Sequence, residues 1–248
     1  EMTSSLVGSE MCIRDSSNSG QEKKCRLMLW LRLWNNISSG KTSVVREEVL
    51  EMNQYDVIII GAGPSGIFCA YELKKQRPDL RVLMIEKGRS IEKRQCPKRK
   101  TKVCVGCQPC SITTGFAGAG AFSDGKLSLS PDVGGTLPEI LGYEKAEELI
   151  READDIYLKF GADEKVYGIE DYEAIENIRA KAIRANLKLI ECPIRHLGTE
   201  EGYKIYTRLQ KHLLEQGVEI QFMTMVKNIL VEDGVAKGVV TDKGETYY

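Results

Sequence analysis

Residues 56–73 read DVIIIGAGPSGIFCAYEL. Four consecutive apolar residues, Val57 to Ile60, are rich in β-branching and predict a central parallel strand buried on both faces. Gly61, Gly63 and Gly66 follow in the spacing G-x-G-x-x-G. Gly61 permits the tight turn, Gly63 lets a pyrophosphate approach the backbone, and Gly66 lets the helix pack close to the strand. Pro64 falls in the first helical turn, where its missing N–H costs little, and Ser65 sits beside it. Ile67, Ala70, Tyr71 and Leu73 then supply the apolar face of a helix. The unpaired N–H groups and the positive helix end make a phosphate the natural ligand of Gly61, Gly63, Pro64, Ser65 and Gly66. The alternative is a glycine turn with no ligand.

The residues beyond this stretch provide the context such a motif needs. RPDL (77–80) closes the helix, and Val82 to Ile85 form a second apolar strand ending at Glu86, 20 residues past Gly66. An acidic side chain at that place accepts both hydroxyl protons of an adenosine ribose. The motif physics alone does not separate FAD from NAD. Glu86 argues against a 2′-phosphate, while Lys87 and Arg89 weaken that argument.

The totals exclude some classes. Hydrophobic residues make up 42% of the 248 and charged residues 29%, a balance that suits a folded core. A net charge of −1 indicates no nucleic-acid partner. No apolar run approaches the roughly 20 residues of a membrane span; Leu27–Trp34 is far too short and carries an arginine. Four of the eight cysteines lie between Cys96 and Cys110. Such clustering without a signal peptide reads as cytoplasmic and metal-binding rather than as a secreted disulfide scaffold.

Residues 1–51 share neither pattern nor composition with the rest. LVGSEMCIRDS (6–16) resembles a translated sequencing adapter, and REEV before Met52 can be encoded by a purine-rich ribosome-binding sequence. The expectation is a non-native or disordered leader that is excluded from the fold, with Met52 as the natural start.

A second glycine-rich loop spans Thr113 to Gly135 and contains GAGAFSDGKL. Backbone without side chains can approach a flat or charged ligand, and successive N–H groups can form an anion nest. Ser123 and Lys126 are candidates for contacts to phosphate or carbonyl oxygens, and Asp124 for positioning a hydroxyl or a water. An ordinary Gly/Ser connection is the competing reading. Cys96, Cys104, Cys107 and Cys110 have the spacing C-x7-C-x2-C-x2-C. Four thiolates could complete a zinc site or hold an iron–sulfur cluster; a redox-active disulfide and four unliganded thiols are the alternatives. Lys98, Arg99, Lys100 and Lys102 would offset thiolate charge. Cys69, on the first helix, reads as core.

Further along, residues 139–160 and 171–187 show helical apolar spacing. LKLIECPIRHLG (187–198) reads as a strand entering a loop, and 203–217 as an amphipathic helix with a glycine stop. VEIQFMT, VKNILVED and VAKGVVTDKG, broken at 232–234 and 243–244, suggest an antiparallel meander. His196 is a candidate proton donor or acceptor, with a structural role as the alternative, and His212 reads as a surface residue.

The combination YDVIIIGAGPSGIFCAYEL, VLMIEKG, CVGCQPCSI, GAGAFSDGKLSLS and CPIRHLGTE resembles a family of bacterial and archaeal FAD-dependent dehydrogenases. That family is related to the glutathione-reductase-type flavoproteins and distantly to geranylgeranyl reductases. The resemblance runs from about Met52 to the last residue. It implies FAD, with adenosine and pyrophosphate at Gly61, Gly63, Gly66 and Glu86. It places Gly118, Gly120, Ser123, Asp124, Gly125 and Lys126 near the pyrophosphate and isoalloxazine, and Val226 over the adenine. It further implies hydride or electron transfer to a small-molecule substrate or electron carrier, with NAD(P)H as a candidate electron partner. Members of the family continue past GETYY (244–248), so the chain is expected to be a fragment. An NAD-dependent dehydrogenase and a non-catalytic, metal-stabilised nucleotide-binding protein are the competing functions.

The expected fold is α/β: a Rossmann-like FAD/NAD(P)-binding domain with a three-layer parallel sheet and an antiparallel meander, plus the start of an inserted cap or substrate region. Its expected divisions are a leader (1–51), the N-terminal part of the FAD-binding domain with the Cys-rich and Gly-rich loops (52–135), a helical cap (136–200), and a return to the FAD-binding domain (201–248).

Overall fold

The computed structural model describes residues 12–13, 53–122 and 125–248. The expected leader thus lies outside the described residues, apart from the two-residue strand β1 (Cys12–Ile13), which pairs antiparallel with the next strand. The centre of the protein is a β-α-β unit: β2 (Val57–Ile60), α1 (Pro64–Gln76) and β3 (Val82–Glu86). β2 and β3 run parallel, from Val57↔Val82 to Ile60↔Ile85. β7 (Glu219–Phe222) adds a further parallel neighbour to β3, giving the order β1-β2-β3-β7.

Alternation along these strands sends side chains to two faces. Val57, Ile59, Val82 and Met84 join one core with Ile67 and Ala70 of α1 and with Ile205, Leu209 and Leu213 of α6 (Thr199–Glu215). Ile58, Leu83 and Ile85 face the other way, onto Val239 and Tyr247. Those two residues belong to an antiparallel meander of β8 (Val226–Glu232), β9 (Val235–Thr241) and β10 (Thr246–Tyr247). Burial on both faces explains why β3 is an unbroken apolar run up to Glu86. Each such side chain contributes roughly 1.5–3 kcal/mol relative to exposure.

α1 stops where Arg77 precedes Pro78, because the residue before a proline disfavours the helical region. The buried Lys74 secures this exit: its Nζ donates to the carbonyls of Pro78 and Leu80 at 2.7 and 3.0 Å.

Between the parallel strands lies a second group of elements. α2 (Lys98–Thr101) is a single turn within the basic segment. A small antiparallel sheet has the order β4 (Lys126–Ser128), β6 (Ile194–His196), β5 (Val166–Tyr167). The predicted helix over 139–160 is two helices, α3 (Leu137–Leu141) and α4 (Tyr143–Lys159), parted at Gly142 with φ 83°. α5 (Tyr172–Arg184) opens on Asp171, whose side chain accepts the Ala174 N–H at 2.9 Å. The strand read into 187–198 contracts to Ile194–His196, and α6 starts at Thr199, four residues before the predicted position. Among the described residues no helix is long and apolar enough to cross a membrane.

Candidate functional site

The turn between β2 and α1 is built from backbone. Gly61 has φ +98°, and its N–H donates to the Ile85 carbonyl at 2.8 Å, so the turn is pinned to the tip of β3. A Cβ at Gly66 would overlap the Gly61 carbonyl oxygen and press on Ile59, so only glycine allows α1 to approach this closely. Gly63 differs: among the described residues a Cβ there would meet nothing within 4 Å, and they leave the space in front of it open. No side chain caps the start of α1 at Gly63. The N–H groups beside the exposed Pro64 and Ser65 are therefore available to an anion.

Glu86 closes the other side of this turn. It is 5% exposed, and its carboxylate accepts the Ala62 N–H at 2.8 Å and the Gly88 N–H at 2.7 Å. Each carboxylate oxygen has a second acceptor site, so the group can still receive ribose hydroxyls. The residue read from sequence as a sugar ligand also holds two loops together.

The second glycine loop folds against the first. Ala117 N–H donates to the Ala62 carbonyl at 2.7 Å, and a Cβ at Gly118 would stand 3.7 Å from Gly63 Cα and Pro64 Cδ. Gly120 lies in the same 3-10 turn, beside the Tyr206 hydroxyl. Gly88 meets Gly115 so closely that an added Cβ would lie 2.5 Å from the Gly115 nitrogen. Ser123 and Asp124 lie outside the described residues. Past them the chain turns to the small sheet: the Gly125 carbonyl accepts the Leu197 N–H at 2.7 Å, and Lys126 pairs with His196 across β4 and β6. Gly118 and Gly120 thus adjoin the first turn, whereas Gly125 and Lys126 belong to the small sheet.

Arg94 organises this second loop, and sequence reading missed it. The side chain is buried, and its guanidinium donates to the carbonyls of Ser111, Ile112, Phe116 and Gly118 at 2.6–3.0 Å. It also stacks over Phe122 at 4.7 Å. Burial holds its pKa below the ordinary arginine value, against the opposing charge of Glu86. In the sequence Arg94 stands in EKRQ among solvated cations, and nothing there distinguishes it.

The expected zinc or iron–sulfur centre is not assembled. Cys96, Cys104, Cys107 and Cys110 are all free thiols, and among the described residues no group of three or more His, Cys, Asp or Glu side chains is placed to hold a metal. The intervening basic residues form the α2 turn, which ends at Lys102 with φ 62°. A separate turn, with Thr114 N–H on the Cys110 carbonyl at 2.9 Å, directs its own amides to the Cys110 sulfur. Among the described residues, the four sulfurs therefore do not converge on one metal position. Cys107 and Cys110 instead line a cleft of about 530 Å³, together with Lys87, Thr113, Met223 and Asp242. Hydrogen bonds from Thr113 and Ile112 hold the Cys110 thiol below its usual pKa. Cys69 packs on the main core, and burial raises its pKa.

His196 stands half-buried on the small sheet, its ring edge-on to Tyr167 at 5.7 Å. Its neighbour Arg195 points to the opposite face, where it pairs with the buried Asp154 of α4 at 2.5 and 2.7 Å. His212 is not the surface residue expected: it stacks on Phe160 at 5.2 Å and Tyr71 at 5.6 Å. Desolvation, then the Lys159 charge, lower its pKa. Val226 begins β8 and packs against the second core, one residue past Met225 at the cleft.

The Thi4 family model matches residues 40–92, which include the glycine turn, α1 and β3. The thiamine thiazole synthase of Coprinopsis cinerea is 54% identical over 33 residues, 13% of this chain and 10% of that protein. Its counterpart in Eremothecium gossypii is 44% identical over 50 residues, 20% of this chain and 15% of that protein. The chain thus matches only a small part of the length of these curated relatives. Among solved structures, THI4 of Thermovibrio ammonificans is 13% identical with a TM-score of 0.37, covering 89% of this chain and 57% of that one. Glycine oxidase of Bacillus cereus is 17% identical with a TM-score of 0.42, covering 77% and 52%. The 3-ketosteroid-Δ4-(5α)-dehydrogenase of Rhodococcus jostii RHA1 is 16% identical with a TM-score of 0.47, covering 78% and 43%.

Proposed function

We propose that the chain binds FAD through the turn at Gly61, Gly63, Ser65 and Gly66 and acts in an FAD-dependent oxidoreductase. The observation that carries this reading is the buried Glu86 carboxylate, held at the mouth of an open glycine turn by the Ala62 and Gly88 amides. The amides starting α1 would take the pyrophosphate, Glu86 the adenosine ribose, and the cleft beside Lys87, Met225 and Val226 the adenine side. Gly118 and Gly120 would flank the pyrophosphate from the second loop. When bound, the flavin supplies hydride or electron transfer, and the protein supplies binding, orientation and electrostatics. His196, opposite Lys126 in register, is the residue assigned to hold or deliver a proton to the substrate. The substrate is a small molecule or electron carrier, with NAD(P)H as the candidate electron partner.

Equilibrium titration of the chain with FAD and with NAD tests the reading. Saturable binding of FAD, tighter than that of NAD, is the expected outcome; tighter binding of NAD would transfer the turn to a nicotinamide-only enzyme. The match at 40–92 favours a second reading, a thiazole-forming activity like that named for the fungal relatives. Product analysis for a thiazole in preparations of the purified protein separates it from the first.

A further inference from the structure

Cys107 and Cys110 share one cleft with Lys87, at the end of β3. The N–H groups of Ile112 and Thr113 and the Thr113 hydroxyl face the Cys110 sulfur, and the Arg94 guanidinium adds positive charge nearby. Such an environment favours thiolate, the nucleophilic form of cysteine. Cys110 is exposed, whereas Cys107, three residues earlier, is half-buried and lines the same cleft. Lys87 offers a cation to an anionic ligand, Asp242 adds a carboxylate that accepts the Met225 N–H at 3.0 Å, and Met223 and Met225 line the same cleft with apolar surface.

We infer that this cleft is a thiol-exchange site for a small, anionic disulfide, with Cys110 as the attacking sulfur and Cys107 as the resolving one. The Cys110 thiolate attacks one sulfur of the ligand disulfide. That bond breaks, a mixed disulfide forms at Cys110, and the departing thiolate takes a proton from water. The Cys107 thiol then loses its proton to solvent and attacks the Cys110 sulfur. The second ligand thiol leaves, and a Cys107–Cys110 disulfide remains. The protein dithiol is oxidised by two electrons, and the ligand disulfide is reduced by two. The same cleft is where the proposed function puts the adenine side of the dinucleotide, so disulfide and nucleotide exclude one another. This exclusion rests on that reading, whereas the exchange chemistry does not.

The probe is dithiobis(nitrobenzoate), a disulfide carrying two carboxylates, mixed in excess with the full chain at neutral pH. The wild type is expected to release two nitrothiobenzoate ions per chain in its fast phase and to retain no adduct at Cys110. Cys107→Ser is expected to release one and to keep a mixed disulfide at Cys110, detected by peptide mass. Cys110→Ser is expected to slow the first release by at least about tenfold, while Cys104→Ser leaves it unchanged. Circular dichroism confirms that the variants remain folded. An unchanged fast phase in Cys110→Ser, or an adduct that persists at Cys110 in the wild type, overturns the assignment. Separately, FAD bound to a measured occupancy is expected to suppress the fast phase in proportion. An undiminished rate at full occupancy overturns the exclusion alone. Absence of FAD binding overturns both the exclusion and the nucleotide reading, and the serine variants still decide the exchange.

Discussion

The Glu86 carboxylate accepts the backbone N–H of Ala62 at 2.8 Å, joining the end of β3 to the tip of the glycine turn after β2. With the Gly88 amide at 2.7 Å on the other oxygen, one side chain sets the shape of the turn and of the loop leaving β3. Replacing Glu86 by Ala strands two buried donors. Hydrogen bonds to charged groups are worth about 1.5–3 kcal/mol each, so Glu86→Ala is expected to cost about 3–6 kcal/mol of stability in denaturant titration. Glu86→Gln keeps an acceptor and should lose less stability, while weakening FAD through its altered contact with the ribose.

Gly66 tests the packing of helix on strand. An added methyl there overlaps the Gly61 carbonyl, and both groups are main chain or tightly held. Gly66→Ala is expected to destabilise by about 1–3 kcal/mol or more, as overpacking does, and to move α1 away from β2. A melting temperature equal to that of the wild type would show that the helix has more freedom than the turn allows.

Arg94 binds four carbonyls that no other residue type can reach together. Arg94→Lys keeps the charge but replaces a planar fork with a point donor, and so is not conservative here. The expected loss is about 2–4 kcal/mol, from carbonyls left without partners. Limited proteolysis should cut faster between residues 111 and 118 in the variant. Equal protection in the two proteins would contradict the clamp.

His212 gives a pH signature. Desolvation and Lys159 depress its folded pKa below the ordinary 6.5, so the unfolded chain takes up a proton first as pH falls. The stability contribution is complete above 6.5 and is lost as pH drops through the lower, folded value. His212→Phe keeps a ring between Tyr71 and Phe160 and removes the titration. Its unfolding free energy should vary less between pH 7 and pH 5 than that of the wild type. The imidazole is half-buried and still reached by solvent, so the difference is small. Equal slopes would contradict the assignment.

The parts of the fold written in local pattern were legible. An apolar run, three glycines at fixed spacing and an acid 20 residues on identify β2, α1, β3 and Glu86, because each rule acts within a few residues. The cysteine cluster misled for the same reason: spacing shows which sulfurs could converge, whereas their positions depend on how the whole 96–110 segment packs, and among the described residues they do not assemble a metal site. Arg94 and the Gly88–Gly115 approach were invisible because their partners are set by tertiary packing. His212 looked polar in sequence, since the rings of Tyr71 and Phe160 come from α1 and from the residue that ends α4. Gly142 breaks the 139–160 pattern although the apolar period continues across it.

The central claim is that the open space before Gly63 belongs to the phosphates of a dinucleotide. A Cβ at Gly63 meets nothing within 4 Å among the described residues, so Gly63→Ala should fold and melt like the wild type while placing a methyl where the ligand must lie. Fluorescence titration of both proteins with FAD is the direct measurement. Saturable one-to-one binding in the wild type, weakened by at least about tenfold in an equally stable Gly63→Ala, is the predicted result. Absent saturable binding in the wild type, or equal affinity in the two, would contradict it.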